Sequence, residues 1–268
     1  MSDVLLAVPN ISEGRDDEKV AYIAGNDALL DVHSDPDHNR GVLTFGGAPG
    51  FVLDAIHSMI DRAVETLDVT SHAGVHPRFG VVDVLPFVAY RGDEDAMRSM
   101  IVGSLDRMEE AVHVPVLTYG RLSPDGRSLP ALRRAIRTEI PVPHPTAGVI
   151  CAGLRDVLIA FNVNCIGRLR AARLAAKDLR GVPGIRALGF ELPSRREVQL
   201  SMNLVDIDRT GPAAAFEHAA EAARRHGLRV VDAEIVGLVP ERVRKESAAL
   251  PLRWPVVTIE ERLMAGSI

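Results

Sequence analysis

Two histidines and an arginine stand close together in the segment 72–80, HAGVHPRFG. An imidazole titrates near neutral pH, so His76 is a candidate general base and general acid, with Arg78 beside it to hold an anion. Pro77 fixes its own φ and keeps His76 out of helical geometry, while Gly74 permits unusual backbone angles. The segment is therefore predicted to be a stiff loop that carries a catalytic site.

His72 and His76 are four residues apart, a spacing that presents both rings to one metal ion on a helix. Gly74 and Pro77 argue against a helix there, and neither cysteine has a second cysteine at ligand spacing. We therefore expect no metal site. For His72 a structural hydrogen-bonding role and a second catalytic role both stay open.

A second cluster of functional groups occupies the segment 35–40, DPDHNR. Arg40 is a candidate two-pronged clamp for a carboxylate, and Asn39 is a candidate for orienting a polar ligand. Asp35 and Asp37 add two carboxylates. The alternative is a solvated hairpin turn, since Asp and Asn tolerate turns well.

Polar side chains in the second half of the chain follow element periodicities. Asn162 and Asn164 alternate with apolar residues, so both amides face one side of a strand, either solvated or lining a cleft that binds a heterocycle. Basic residues at helical steps form what we call the cationic stripe: Arg170, Arg173, Lys177 and Arg180. The stripe is either a solvated helix face or a surface that attracts an anionic tail.

Alternating strands and helices are predicted to position these groups. Apolar periodicities indicate an α/β protein of two subdomains, 1–154 and 155–268, each a mixed sheet with helices packed on one face. The second subdomain follows the ferredoxin-like order βαββαβ. A strand-turn-strand is expected over 29–45, with its polar turn at 34–40. We expect the ligand cleft between the two subdomains.

Composition limits the classes of function. The 268 residues are 47% hydrophobic, and the net charge of −5 offers no basic surface for nucleic acid or anionic membrane. Two cysteines in apolar contexts indicate buried thiols in a reducing compartment, and no segment resembles a signal peptide or a membrane span. We expect a cytoplasmic protein that forms a homodimer.

The motifs taken together resemble the glutamate formimidoyltransferase family. The similarity is carried by VPNISEGR at 8–15, the cluster 35–40, and above all H-x-G-x-H-P-R-x-G-x-x-D-V-x-P-F from His72. Further matches are HPTAG at 144–148, LIAFNVN at 158–164, SMNL at 201–204 and EIVGLVP at 234–240. They occur in family order and span about residues 3–240.

The resemblance implies two α/β subdomains enclosing a folate channel, and transfer of a formimidoyl group from N-formimidoyl-L-glutamate to N5 of tetrahydrofolate as co-substrate. It places the catalytic histidine at His76. Substrate-binding residues are expected at Arg78, Arg40, Asn39, Asp35, Asp37 and Asn10. Folate-binding residues are expected at His144, Thr146, Gly148, Asn162, Asn164, Arg173 and Lys177.

Two other functions stay open at the level of sequence. Formyl transfer between glutamate and 5-formyltetrahydrofolate would use the same base and the same folate channel. A folate-binding protein without turnover would keep the channel alone, although the presence of His76 with Arg78 argues against it.

Overall fold

The chain divides into two units, Met1–Asp156 and Val157–Ile268, in a computed structural model. The structure describes residues 2–75, 78–139 and 143–265, with backbone alone for 137–139. The α/β class and the two subdomains predicted from the sequence are confirmed. None of the helices in these described ranges is long and apolar enough to cross a membrane.

The first unit is built on a seven-stranded mixed sheet. Its strands are β1 (Val4–Ala7), β2 (Asn10–Ile11), β3 (Leu29–Asp35), β4 (Arg40–Gly47), β5 (Val82–Arg91), β6 (Val116–Gly120) and β7 (Ile150–Leu154). The short strands β1 and β2 lie end to end between β4 and β5, antiparallel to both. β3 is antiparallel to β4, whereas β7 pairs in parallel with β5 and β6.

Helices cover both faces of this sheet. They are α1 (Asp17–Ala24), α2 (Pro49–Thr66), α3 (Glu94–Val112) and α4 (Leu129–Glu139). Helices α1 to α3 share one core with alternate residues of β7, while Leu132 and Ile136 of α4 form a separate cluster with Val149 and Cys151. Every residue of β7 is buried, so both faces need a cover. The expectation of helices on one face is corrected for this unit.

The second unit has the predicted ferredoxin-like topology. Its elements are β8 (Ile159–Ile166), α5 (Leu169–Leu179), β9 (Ile185–Leu192), β10 (Glu197–Leu204), α6 (Pro212–Arg225) and β11 (Arg229–Val236). The sheet order is β11-β8-β10-β9, with every neighbouring pair antiparallel. Both helices contribute buried alanines to a core with alternate residues of these strands. The opposite sheet face therefore carries the other, polar set of side chains.

The end of the chain adds short helices to the second unit. A 3₁₀ turn (Glu241–Val243) leads into α7 (Arg244–Ala248), and α8 (Ile259–Ala265) follows. Val243 and Ile259 are buried, while Trp254 is 55% exposed. This segment thus combines an exposed tryptophan with two buried aliphatic side chains.

Both cysteines are free and buried, as expected from their apolar sequence contexts. Cys151 lies on β7 and Cys165 on β8. Burial raises the pKa of each thiol to about 12.

Candidate active site

The polar turn between β3 and β4 is tighter and more buried than a solvated hairpin. Asp35 pairs with Arg40 in the strand register, so the turn itself spans 36–39. Asp35, Asp37, His38 and Asn39 are each at most 9% exposed. Asp35 Oδ1 accepts a hydrogen bond from the His38 backbone N at 2.8 Å, and Asn39 has a φ of 47°. The solvated interpretation of this segment is therefore wrong.

The 72–80 loop folds over this turn. The Asn39 side-chain amide donates to the Ala73 carbonyl at 3.0 Å and lies 3.3 Å from His72 Nδ1. The Oδ1 atom of Asn39 accepts a hydrogen bond from the Gly14 backbone N at 3.0 Å. Gly74 has no room for a side chain, because a Cβ there would stand 2.3 Å from the His38 carbonyl oxygen. Asn39, expected to orient a ligand, joins three segments of the chain in this structure.

Arg40 and Asn10, both expected to bind substrate, are in direct contact. Arg40 Nε donates to Asn10 Oδ1 at 2.8 Å, and Arg40 Nη2 donates to the same oxygen. Asn10 is oriented in turn by its Nδ2, which donates to the Val8 carbonyl at 2.9 Å. The strands β2 and β4 hold the pair in place, since Asn10 lies opposite Val42.

Asp83 on β5 is a fully buried carboxylate that joins the loop to two arginines. Its Oδ1 accepts from the Phe79 backbone N at 2.9 Å. Its Oδ2 accepts from Arg133 Nη2 and lies 3.9 Å from Arg40 Nη1. Both arginine side chains are less than one-fifth exposed, at 16% for Arg40 and 18% for Arg133. Arg133 is not identifiable from the sequence, since one arginine on an amphipathic helix carries no sign of its partner.

Arg78 brings a third guanidinium to the same place. Its Nη2 donates to the His38 carbonyl, while its Nε and Nη1 are buried with no hydrogen-bond partner among the described residues. Burial, and then the Arg40 charge, lower the pKa of Arg78 to about 10. Burial likewise lowers the pKa of Arg40 to about 10. Both remain charged at neutral pH, and Arg78 presents free donors for an anion.

His72 is held as a neutral imidazole. Burial, followed by the Arg78 charge, lowers the pKa of His72 below its usual value of 6.5. His76 lies outside the described residues, so its predicted role stays a prediction. Its described neighbours Val75 and Arg78 both contact the buried turn, through Asp37 and His38.

The 144–148 turn belongs to the first unit and lies against the same loop. His144 Nδ1 accepts from the Ala147 backbone N at 2.9 Å and from the Thr146 N at 3.3 Å. Gly148 forms an isolated bridge with Gly80. A Cβ on Gly148 would stand 2.1 Å from the Phe79 carbonyl oxygen. Three of the predicted folate residues, His144, Thr146 and Gly148, thus lie on a turn beside the loop that carries Arg78. We call Arg40, Arg78 and Arg133 the arginine cluster.

The other predicted folate residues lie in the second unit. Asn162 Nδ2 donates to Glu234 Oε1 at 3.0 Å, and Asn164 Nδ2 donates to Asp232 Oδ1 at 2.7 Å. Gln199 Nε2 lies 3.0 Å from Glu234 Oε1 and 3.1 Å from Asn164 Oδ1. These buried groups form an amide–carboxylate network on the polar face of the sheet. The solvated interpretation of Asn162 and Asn164 is wrong.

The cationic stripe is exposed along α5, as a helical repeat of basic residues predicts. Arg170, Arg173, Lys177 and Arg180 are all exposed. Ala172, Ala176 and Leu179 are buried on the packing side of the helix. Within the described ranges, no three His, Cys, Asp or Glu side chains are grouped as a metal ion would require.

Both units match models of known protein families. Residues 4–153 match the model of the formiminotransferase domain, N-terminal subdomain, and residues 156–252 match that of the formiminotransferase domain. The chain belongs to the formiminotransferase family. The membership and the transferase class predicted from the motifs are confirmed.

Members of the family share substantial identity with the chain. A glutamate formimidoyltransferase of Thermoplasma acidophilum is 37% identical over 266 residues, covering 88% of each chain. One of Streptococcus pyogenes serotype M1 is 30% identical over 272 residues, covering 90% of this chain and 91% of the relative. A formimidoyltransferase-cyclodeaminase of Sus scrofa is 34% identical over 285 residues, covering 93% of this chain. The match spans 52% of that longer relative.

Proposed function

We propose that this formiminotransferase transfers a formimidoyl group from N-formimidoyl-L-glutamate to N5 of tetrahydrofolate, with His76 as general acid and base. Two relatives of similar length, at 37% and 30% identity, are named glutamate formimidoyltransferase. The observation that carries the proposal is the buried guanidinium of Arg78, whose Nε and Nη1 find no acceptor among the described residues. It lies next in sequence to the pair His76 and Pro77.

A carboxylate fits this position. The Nε–H and Nη1–H of Arg78 can each donate to a carboxylate oxygen, and desolvation strengthens such contacts. Two positive charges, Arg40 and Arg133, and two negative charges, Asp83 and, more weakly, Glu13, act on Arg78. A buried guanidinium whose N–H groups lack an acceptor is costly, and an arriving anion removes that cost. The two carboxylates of a glutamate derivative supply such an anion.

The transferred group has its own electrostatic requirement. A formimidoyl amidine is cationic, so a carboxylate suits it better than the N–H donors that stabilise an oxyanion. Asp35 and Asp37 remain the candidates, both buried in the turn under the loop. One oxygen of Asp35 is engaged by the His38 backbone N. We expect the amidine to approach the carboxylates of this turn.

Proton transfer is the task assigned to His76. A base must take the proton from the attacking nitrogen, and an acid must protonate the departing glutamate amine. One imidazole can do both in succession, because the proton that it takes from the attacking nitrogen is the proton that it gives to the departing amine. Reactants held in the right orientation gain further rate, because their encounter no longer costs translational and rotational entropy.

The residues present fit tetrahydrofolate as co-substrate, which supplies the nucleophilic nitrogen. The half-buried His144 uses Nδ1 within its turn, so its Nε2 is left to carry the N–H of a neutral ring. The amide–carboxylate network around Asn162 and Asn164 offers hydrogen bonds suited to a heterocycle. The exposed charges of Arg173 and Lys177 suit an anionic glutamate tail. A place in histidine breakdown, a cytoplasmic location and a homodimer belong to the same proposal.

Replacement of His76 tests the proposal. His76→Ala should lower kcat by roughly 10²–10⁴-fold, the usual range for a lost general acid–base. Tetrahydrofolate affinity, measured by calorimetry, should change little. The matched control is His218→Ala on the exposed side of α6, which should keep the wild-type rate.

Two results would contradict the proposal. If His76→Ala retains more than half of the rate, the histidine is not the base. If the wild-type protein uses N-formyl-L-glutamate and leaves the formimidoyl donor unchanged, the transferred group is formyl.

A further inference from the structure

Arg133 is fixed on two sides at the edge of the arginine cluster. Its Nη2 donates to Asp83 Oδ2, and its guanidinium carbon lies 5.6 Å from the centroid of the Phe79 ring. Asp83 and Phe79 are themselves joined, since the Phe79 backbone N donates to Asp83 Oδ1 at 2.9 Å. An arginine held by a carboxylate and an aromatic face is pre-organised, so little side-chain freedom is left to lose on binding.

The donors of Arg133 exceed the acceptors around it. Its Nε is buried with no partner among the described residues. Asp83, its carboxylate partner, also serves the Phe79 amide and lies 3.9 Å from Arg40 Nη1. One carboxylate therefore serves two guanidinium groups and a backbone amide. A buried cationic N–H without an acceptor is costly, and an arriving anion removes that cost.

The charge of Arg133 acts on the other two arginines of the site. Arg133 lowers the pKa of both Arg40 and Arg78, although Asp83 opposes the effect in each case. The donor carries two carboxylates, and the Nε–H of Arg133 can donate to an oxygen of one of them. From this geometry we infer that Arg133 is a specificity-determining residue that binds one of the two donor carboxylates. The inference rests on the proposed function and adds a residue to its site.

Donors that lack one of the two carboxylates at a time test the inference. The probes are N-formimidoyl-L-glutamate, its γ-amide and its α-amide, compared by kcat/KM in the wild type and in Arg133→Gln. The wild type should prefer the diacid over each amide by about 10- to 100-fold, the effect of losing charge-assisted hydrogen bonds. In Arg133→Gln one of the two preferences should fall to within about threefold while the other persists, because the lost contact involves one carboxylate.

The matched control is Arg134→Gln, the exposed neighbour on α4, which should keep both preferences. Arg133→Lys should keep part of the affected preference, since an ammonium retains the charge without the planar fork. Unchanged preferences in Arg133→Gln would overturn the inference. An equal rise of KM for donor and tetrahydrofolate in that variant would also overturn it, by assigning Arg133 a structural role.

Calorimetry with L-glutamate separates this inference from the proposed function. Arg133→Gln should bind glutamate about 10- to 100-fold more weakly than the wild type, by the same loss of contact. If the wild type transfers no formimidoyl group, the proposed function fails, and this titration still decides whether Arg133 binds a carboxylate. Equal glutamate affinities would overturn the role of Arg133 whatever the reaction.

Discussion

Replacing Gly148 by alanine should damage both stability and turnover, because its contact with the 72–80 loop leaves no room for a methyl group. Gly148 has a φ of +72°, and an added Cβ would stand 2.1 Å from the Phe79 carbonyl oxygen. Real Cβ contacts essentially never fall under 3.0 Å, so the loop must move by about 1 Å. Phe79 directly follows Arg78, and the displacement therefore reaches the arginine cluster.

Gly126 provides the matched control for the backbone conformation. Its φ is +64°, and a Cβ there would meet nothing within 4 Å. Each alanine costs about 1–2 kcal/mol for the left-handed conformation. Gly148→Ala adds about 1–3 kcal/mol for the forced overlap, as overpacking typically does. The difference between the variants isolates the contact between the turn and the loop.

Thermal unfolding and donor kinetics measure the two effects. The unfolding midpoint of Gly148→Ala should lie below that of Gly126→Ala by about 2–4 °C per kcal/mol of difference. kcat/KM should fall by about 10²-fold in Gly148→Ala alone, since a misplacement of about 1 Å has that effect on reacting groups. Equal midpoints and equal rates in the two variants would refute the argument that Gly148 positions the loop.

Three further predictions concern charge. Arg78→Lys and Arg40→Lys should each raise the donor KM by more than the folate KM, because an ammonium cannot form a two-pronged clamp. Equal increases of the two KM values would indicate structural roles for these arginines. Double replacement of Arg173 and Lys177 by Gln should abolish any rise of folate affinity with glutamate tail length, and titrations of mono-, tri- and pentaglutamates at two salt concentrations check this. Because the pKa of His72 is lowered in the folded state, its contribution to stability is complete above pH 6.5 and declines as the pH falls below that value. Urea unfolding at pH 7.5 and 5.5 should show a smaller decline in His72→Gln, and identical declines would disprove the linkage.

Local sequence signals predict most of the helices and strands, because apolar periodicity and helix capping depend on residues within one segment. Asp93 precedes α3 and accepts a hydrogen bond from Ala96 N at 3.0 Å, as an N-cap should. The apolar run at the start of the chain is interrupted as a strand, since Pro9 has no N–H for the ladder and β2 begins only at Asn10. Such an interruption depends on which neighbours pair with the strand, and the segment alone does not specify them.

The sequence singles out the segments of the candidate site but not the contacts between them. The segments 35–40 and 72–80 were singled out because dense functional groups exceed what a turn requires. Their burial depends on the loop covering the turn, a tertiary contact that neither segment specifies by itself. Arg133 was missed because its partner Asp83 is 50 residues away and its neighbour Arg134 has the same side chain. Only the structure tells which of the two arginines faces the carboxylate.

The two buried thiols make selective labelling of this protein possible. A thiolate is the reactive form, and with a pKa of about 12 roughly one thiol in ten thousand is ionised at pH 8 for Cys151 and Cys165. A cysteine introduced at Val75, which is 37% exposed, should therefore react with a maleimide dye while both native thiols stay unmodified. The dye would lie next in sequence to His76, and a change in its fluorescence on addition of donor or folate would report binding beside the loop.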